Sequence, residues 1–276
     1  MTRIVNNCVA LVCLCLFWGQ SLRAADASHS EQIKWGNESV FNEEHNTLGL
    51  FSGVLGGQIV LAGGTSDDYS RWGRNAVCLS ENAGFALYED VLSKPLAYGA
   101  SITLSDGILC IGGRDSSQCY EDVFFVTMQQ GKLNVSEDWP PLPFPLSNAA
   151  GALLDNKGYL FGGRKSVSPS RLSDSFFVLD LSNKSRGWKE LPGYPGCVRE
   201  DAILVVQNNG VSPCLYLLGG QTETEEGLSS CLTDGYVYSP QLGKWSSLGS
   251  DFPKGICAAV ASGANHILLF QMFQGA

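Results

Sequence analysis

Charge is scarce in this chain. Asp, Glu, Lys and Arg supply 16% of its 276 residues, against about 25% in an ordinary domain, and the net charge is −9. A chain without a basic stripe is not built for nucleic acid. Histidine is scarcer still: His29, His45 and His266 are the only three. With no Cys-x-x-Cys spacing either, no zinc or copper centre is expected, and no cofactor. No stretch of useful length repeats its apolar residues with helical period, which argues for an all-β fold. The apolar run Cys8–Trp18 is too short to span a membrane, and no other segment is apolar for long enough to cross a bilayer.

Glycine, by contrast, is plentiful, at 32 residues. Four times a short apolar run ends in a glycine pair: Ile59–Gly64, Ile108–Gly113, Tyr159–Gly163 and Leu215–Gly220, at intervals of 49, 50 and 57 residues. A strand apolar at consecutive positions must be covered on both faces. The terminal glycines allow positive φ and let neighbouring backbones crowd together. A period near 50 is that of kelch-type β-propellers, in which each repeat supplies one four-stranded antiparallel blade.

The flanks repeat too. Asp174–Asp180 and Gly187–Pro192 follow the third pair after a variable loop, and Thr233–Tyr238 and Gly243–Leu248 follow the fourth. Repeat two keeps Tyr120–Val126 and Trp139; repeat one places Asn75–Leu79 and Phe85–Tyr88 there. Trp35 reads as an outermost strand whose blade partners come from the far end of the chain. A fifth blade begins at Ile256–Ser262 and His266–Phe270, where the chain continues with Gln271–Ala276 in place of a glycine pair. The expectation is about four and a half blades, interrupted within a blade, with a five-blade protein of short last blade as the alternative.

The first 27 residues have the layout of a secretory signal peptide: Arg3, the apolar stretch Cys8–Trp18, then small residues suited to cleavage after Ala24 or Ala27. An uncleaved anchor is the other reading. The expected organisation is therefore a signal peptide over 1–27 and an incomplete propeller over 28–276, exported to the periplasm or secreted, with no membrane association after cleavage. Seven cysteines remain, an odd number. Cys110 and Cys119 could face each other across a hairpin, although a buried free thiol in a strand is common. Asn37, Asn134 and Asn183 fit the glycosylation pattern.

Several strings are more specific than the period. They are Leu48–Val54, Pro95–Ser101, Cys110–Asp115 leading to Cys119–Phe124, Leu146–Ala152 and Ser262–Phe270. In these the chain resembles the N-acetylneuraminate epimerase (sialic acid mutarotase) family, in particular its cyclically permuted branch. The resemblance implies a six-bladed kelch propeller, expected to be C-terminally truncated here, in an exported isomerase that interconverts sialic acid anomers. That chemistry needs an acid and a base for proton movement and a cation for the substrate carboxylate. In non-permuted relatives a glutamate and an arginine six residues apart are the proposed catalytic pair. The permuted order puts that blade after Ala276, so the catalytic residues here are unassigned.

In an up-and-down blade, the loops before strand one and after the glycine pair open on one face. They gather Tyr98, Asn148, Arg199 and Glu200 from the first set, and Arg114, Asp115, Arg164 and Gln221 from the second. Tyr98, Arg114, Asn148, Arg164, Arg199 and Glu200 are the substrate-binding candidates, for a small anionic sugar. The rival reading of the arginines is a solvated or acid-paired surface role; that of Tyr98 and Asn148 is blade packing. At the level of the whole chain, a non-catalytic interaction or sugar-binding module and an inactive remnant of the enzyme stand as alternatives. Ser66–Trp72 approaches a sialidase Asp box once, one residue short and in the wrong loop.

Overall fold

The computed structural model describes residues 48–80, 84–224 and 227–250, and the backbone of 260–262 and 267–269. Each glycine-pair segment forms the second strand of a four-stranded antiparallel sheet. The first blade is β1 (Leu48–Leu55), β2 (Gln58–Thr65), β3 (Ala76–Ser80) and β4 (Gly84–Tyr88); the second is β5 (Ala100–Thr103), β6 (Ile108–Ile111), β7 (Val123–Gln129) and β8 (Lys132–Ser136). The third runs β9 (Ala150–Leu154), β10 (Lys157–Phe161), then a small hairpin β11 (Arg164–Ser166) and β12 (Arg171–Leu172), then β13 (Phe176–Asp180) and β14 (Lys189–Glu190). The fourth has β15 (Ile203–Asn208), β16 (Pro213–Leu218), a hairpin β17 (Gln221–Glu223) and β18 (Ser229–Cys231), then β19 (Gly235–Ser239) and β20 (Lys244–Gly249). A further antiparallel pair, β21 (Val260–Ser262) and β22 (Ile267–Leu269), follows beside β15. The fold is the expected all-β kelch-type propeller. Residues 1–47, which hold the expected signal peptide, Trp35, His29 and His45, lie outside the described residues, as do Cys257 and His266.

Strand β6 shows why these segments are apolar throughout. Ile108 and Cys110 join a core shared with the first blade, including Phe51, Val60 and Phe124. The intervening Leu109 and Ile111 face the third blade, beside Leu160, Phe177 and Leu179. Successive side chains of a strand point to opposite faces, so one strand serves two cores. Burying each Leu or Ile contributes about 1.5–3 kcal/mol, which makes the interblade layers the main stabilising element. Between the third and fourth blades the layer is aromatic, with Phe161, Phe176, Tyr194, Tyr236, Tyr238 and Trp245.

The repeated tryptophans lock neighbouring blades. Trp188 Nε1 donates to the Pro140 carbonyl at 3.1 Å, and Trp245 Nε1 donates to that of Pro192 at 3.3 Å. Trp139, expected on a fourth strand, instead follows β8, and its ring packs on Phe125 at 5.2 Å. The glycine pairs crowd the following blade as expected. A Cβ on Gly112, whose φ is +63°, would sit 2.2 Å from the Leu146 carbonyl oxygen; one on Gly162 would sit 2.6 Å from that of Arg199. Cys110 and Cys119 form no disulfide: both are free and buried, and Cys119 Sγ lies 3.4 Å from Ser147 Oγ.

Candidate functional site

Three lead-in segments, Leu96-Ala97-Tyr98, Leu146-Ser147-Asn148 and Arg199-Glu200-Asp201, enter β5, β9 and β15 in one shared frame. The carbonyl at the first step accepts from the second glycine of the preceding pair: Gly64, Gly113 and Gly163 donate to Leu96, Leu146 and Arg199, each at 2.8 Å. The second step bridges to the residue after the blade's own pair, as Ala97 with Arg114, Ser147 with Arg164 and Glu200 with Gln221. This is the joint opening of both loop sets on one face that up-and-down topology predicts. The third step is left-handed, with φ of 60°, 54° and 52° at Tyr98, Asn148 and Asp201. Its N–H donates to its counterpart in the previous blade: Tyr98 to Gly49 at 2.7 Å, Asn148 to Tyr98 at 2.6 Å and Asp201 to Asn148 at 3.0 Å. Gly49 is left-handed as well, and a Cβ there would strike the Tyr98 ring at 2.8 Å.

That frame corrects the expectation for Arg199. It occupies the step held by Leu96 and Leu146, which are 2% and 1% exposed, and is itself 0% exposed. All three nitrogens of its guanidinium are bonded within the fold. Nη1 and Nη2 donate to the two Asp234 carboxylate oxygens at 2.7 and 2.8 Å, Nη1 also to the Gly219 carbonyl at 2.8 Å, and Nε to the Tyr194 hydroxyl at 2.8 Å. A buried guanidinium with an acceptor on each of its three nitrogens is an interior anchor. It does not reach the loop face.

Arg164 and Glu200 do meet near that face, but mainly each other. Arg164 forks onto both Glu200 oxygens, ion-pairs with Glu223 at 3.0 Å and donates to Ser170. The Glu200 hydrogen bond, chief among these, raises the arginine pKa. One cation between two carboxylates presents no net positive charge to a ligand.

Arg114 is different. Ser147 stands where the next blade gives Arg164 its Glu200, and a hydroxyl cannot form an ion pair. Among the described residues no carboxylate lies within ion-pair distance of Arg114. Its guanidinium is walled by three rings, with centroids at 4.7 Å for Tyr98, 5.1 Å for Trp72 and 6.0 Å for Tyr69. Nη1 also reaches the Asp115 carbonyl at 3.4 Å. Tyr69 and Trp72 come from the Ser66–Trp72 loop, which Asp68 shapes by accepting from Ser66 Oγ at 2.6 Å and Ser70 N at 3.1 Å. The Tyr98 hydroxyl lies 3.3 Å from that of Tyr69. Burial, and then this hydrogen bond, push its pKa up, so it stays neutral. Asp115 is engaged in its own turn. Burial would raise its carboxyl, but hydrogen bonds from Tyr120, Ser117 and Gln118 hold it at about 2.

Asn148 Nδ2 donates to Asp201 Oδ1 at 2.9 Å. Asp201 is reachable by solvent yet hemmed in by protein, and that desolvation lifts its carboxyl to about 6. Glu200 adds to the rise, whereas the Asn148 amide, Arg164 and Arg114 oppose it. Such a group can give and take protons near neutral pH. The sequence reading missed Asp201, Tyr69 and Trp72. Aligning the three-step lead-ins would have found Asp201, one step after Glu200 and in phase with Tyr98 and Asn148. A shallow cleft of 340 Å³ between Pro192–Pro195 and Gly243–Trp245 contains none of these groups.

Comparison with known proteins agrees with the family resemblance. The sequence pattern of the N-acetylneuraminate epimerase family matches residues 139–272. An N-acetylneuraminate epimerase of Yersinia pestis (strain Pestoides F) is 30% identical over 139 residues, covering 49% of this chain and 33% of that protein. One of Haemophilus influenzae (strain PittEE) is 30% identical over 131 residues, covering 48% and 32%. A kelch domain-containing protein of Vibrio cholerae serotype O1 is 32% identical over 121 residues, covering 44% and 31%. The matched stretch thus spans about a third of each curated relative. The solved structure of YjhT is similar in fold, with a TM-score of 0.56 at 13% identity, covering 73% of this chain and 68% of that one. The chain is similar to the N-acetylneuraminate epimerase family in sequence and is a kelch-type propeller in fold.

Proposed function

We propose that this chain, as an exported protein, binds a carboxylated sugar of the N-acetylneuraminate class at its loop face and interconverts the sugar's anomers. One observation carries the reading: Arg114 is a guanidinium without a carboxylate partner among the described residues, set among three aromatic rings. A planar fork of N–H donors matches a carboxylate, and aromatic walls suit the apolar face of a sugar ring. The similarity to N-acetylneuraminate epimerases supports the substrate class. The signal-like layout of residues 1–27 supports export. Arg164 and Glu200 pair beside this group; Tyr98 and Asn148 stand between Arg114 and Asp201 in the succession of contacts along the rim.

In N-acetylneuraminate the carboxylate is carried by the anomeric carbon itself. Anchoring it therefore fixes the reacting centre one bond away, and interconversion then needs only proton transfer between the anomeric hydroxyl and the ring oxygen. The test is proton NMR of freshly released α-sialic acid with the full chain, alongside calorimetric titration of sialic acid. The expected result is faster appearance of the β anomer and binding that Arg114→Ala weakens about tenfold or more, the scale of a lost charge-assisted hydrogen bond. Binding without acceleration would indicate a sugar-binding module. Unaltered binding by Arg114→Ala would remove the arginine from the site.

A further inference from the structure

We infer that Asp201 is the proton-transfer group of the loop-face site and that Asn148 positions it, a role that rests on the anomer-exchange reading above. The geometry comes from the frame shared by the lead-ins. Asp201 holds the same left-handed step as Tyr98 and Asn148 and is tied to them by consecutive backbone hydrogen bonds of 2.6 and 3.0 Å. Tyr98 in turn lies against the guanidinium of Arg114. The chain of contacts therefore runs Arg114, Tyr98, Asn148, Asp201 along one rim. A carboxylate anchor stands at its start and a solvent-reachable acid at its end.

Four other acids near this face, Glu200, Glu223, Asp115 and Asp68, are engaged elsewhere, the last by Ser66 and Ser70. Glu200 and Glu223 are paired to Arg164, and Asp115 accepts from Tyr120, Ser117 and Gln118. Asp201 accepts a side-chain hydrogen bond from Asn148 on Oδ1. The charged and titratable groups that bear on it are Glu200, Arg164, Arg114 and Tyr98. Its ordinary carboxylate range is left behind because protein crowds it, which keeps a proton available near neutral pH.

A carboxylic acid can carry the whole exchange without a co-reactant. One Asp201 oxygen gives its proton to the ring oxygen as the bond from that oxygen to the anomeric carbon breaks, its electron pair remaining on the ring oxygen. The other Asp201 oxygen takes the proton of the anomeric hydroxyl, whose electrons close to a carbonyl. Rotation about the bond to the opened carbon and the reverse step form the other anomer. Asp201 ends protonated, as it began, with its proton on the other oxygen.

The test uses the full chain, N-acetylneuraminate as probe, and Asp201→Asn and Asn148→Ala variants. Asparagine already holds this step at position 148, and its side chain tolerates left-handed backbone, so Asp201→Asn is expected to fold. The catalysed part of the wild-type rate should be level below about pH 6 and fall with rising pH above it, following the protonated acid. Asp201→Asn should lower that rate about 100-fold or more, the scale of a lost general acid–base group, while the dissociation constant stays within about threefold. Asn148→Ala removes a hydrogen bond to the anionic form, so the midpoint of the pH profile should move upward, a signature that simple loosening of structure would not give. An active wild type matched in rate and profile by Asp201→Asn would overturn the role alone. A wild type without catalysed exchange would overturn the anomer-exchange reading and this role together, and carbon NMR titration of the Asp201 carboxyl in the free protein would still report whether the group is poised near pH 6.

Discussion

Two junctions of the propeller use arginine in opposite ways. Between the third and fourth blades, Arg199 and Arg164 are satisfied by Asp234, Glu200 and Glu223, and one of the two is fully buried. Between the first and second, Arg114 has rings around it and no carboxylate within ion-pair distance among the described residues. The backbone frame is the same in both places, so the difference lies in single side chains: Glu200 where the preceding blade has Ser147, and Arg199 where its neighbours have Leu96 and Leu146. A charged residue at an equivalent repeat position is thus structural or available according to what the next blade offers it.

The largest effect should come from the structural side. Arg199→Leu leaves Asp234 without its cation, and because that carboxylate is 22% exposed the cost should fall at the low end of the range of about 3–5 kcal/mol for a fully buried pair, to be read from denaturant unfolding. Adding Asp234→Asn should recover most of that loss, because leucine is what the two equivalent steps already hold. If the single variant unfolds at the wild-type midpoint, the anchor role is wrong. Gly112→Ala should come next, since its left-handed φ alone costs about 1–3 kcal/mol and the added Cβ meets the Leu146 carbonyl oxygen at 2.2 Å. Gly84→Ala, with φ of 69° and nothing within 4 Å of the added atom, should lose less and serves as its control.

On the ligand side, Arg114→Ala should change stability by less than either, while weakening sialic acid binding about tenfold or more. A variant that instead melts early with unchanged affinity would erase the contrast between the junctions. The smallest effect is in the pH dependence of stability. Asp201 holds its proton more tightly folded, at about 6, than unfolded, at about 3.9; its contribution is therefore full below the unfolded value and lost as pH rises through about 6. Asp234 runs the other way. Burial opposes its ionised form but the Arg199 hydrogen bonds prevail and lower its pKa, so its contribution is present above about 3.9 and is lost on acidification. Melting temperatures between pH 4 and 7 should decline with rising pH in the wild type and flatten in Asp201→Asn.

Much of the fold was legible because the repeat imposes two physical demands that leave marks in sequence. A strand shared by two cores is apolar at every position, and a backbone that abuts the next blade admits only glycine. These gave the blades, and up-and-down topology then put the correct loops on one face. What was not legible lacked such a mark. Hairpins β11–β12 and β17–β18 arise inside a variable loop with no period, and they carry Arg164 and Glu223 into contact. Trp139 keeps its packing role while standing outside its strand. Arg199 was misplaced because its position in a loop before a first strand was taken to put it on the open face, whereas its phase with Leu96 and Leu146 fixes it inside. Tyr69 and Trp72 sat in a stretch weighed only as a near-miss of another motif.

The succession Gly49, Tyr98, Asn148, Asp201 is fastened through peptide groups at every step, with one side-chain bond added between Asn148 and Asp201. These backbone bonds form whatever the side chain, so residue type at these stations is set less by the joining of neighbouring sheets than at the residues immediately before them. A phenol, an amide and an acid occupy three successive stations on an identical scaffold, so the chemical character of the mouth can be rewritten at those stations, while Gly49, where a Cβ would strike the Tyr98 ring at 2.8 Å, stays fixed.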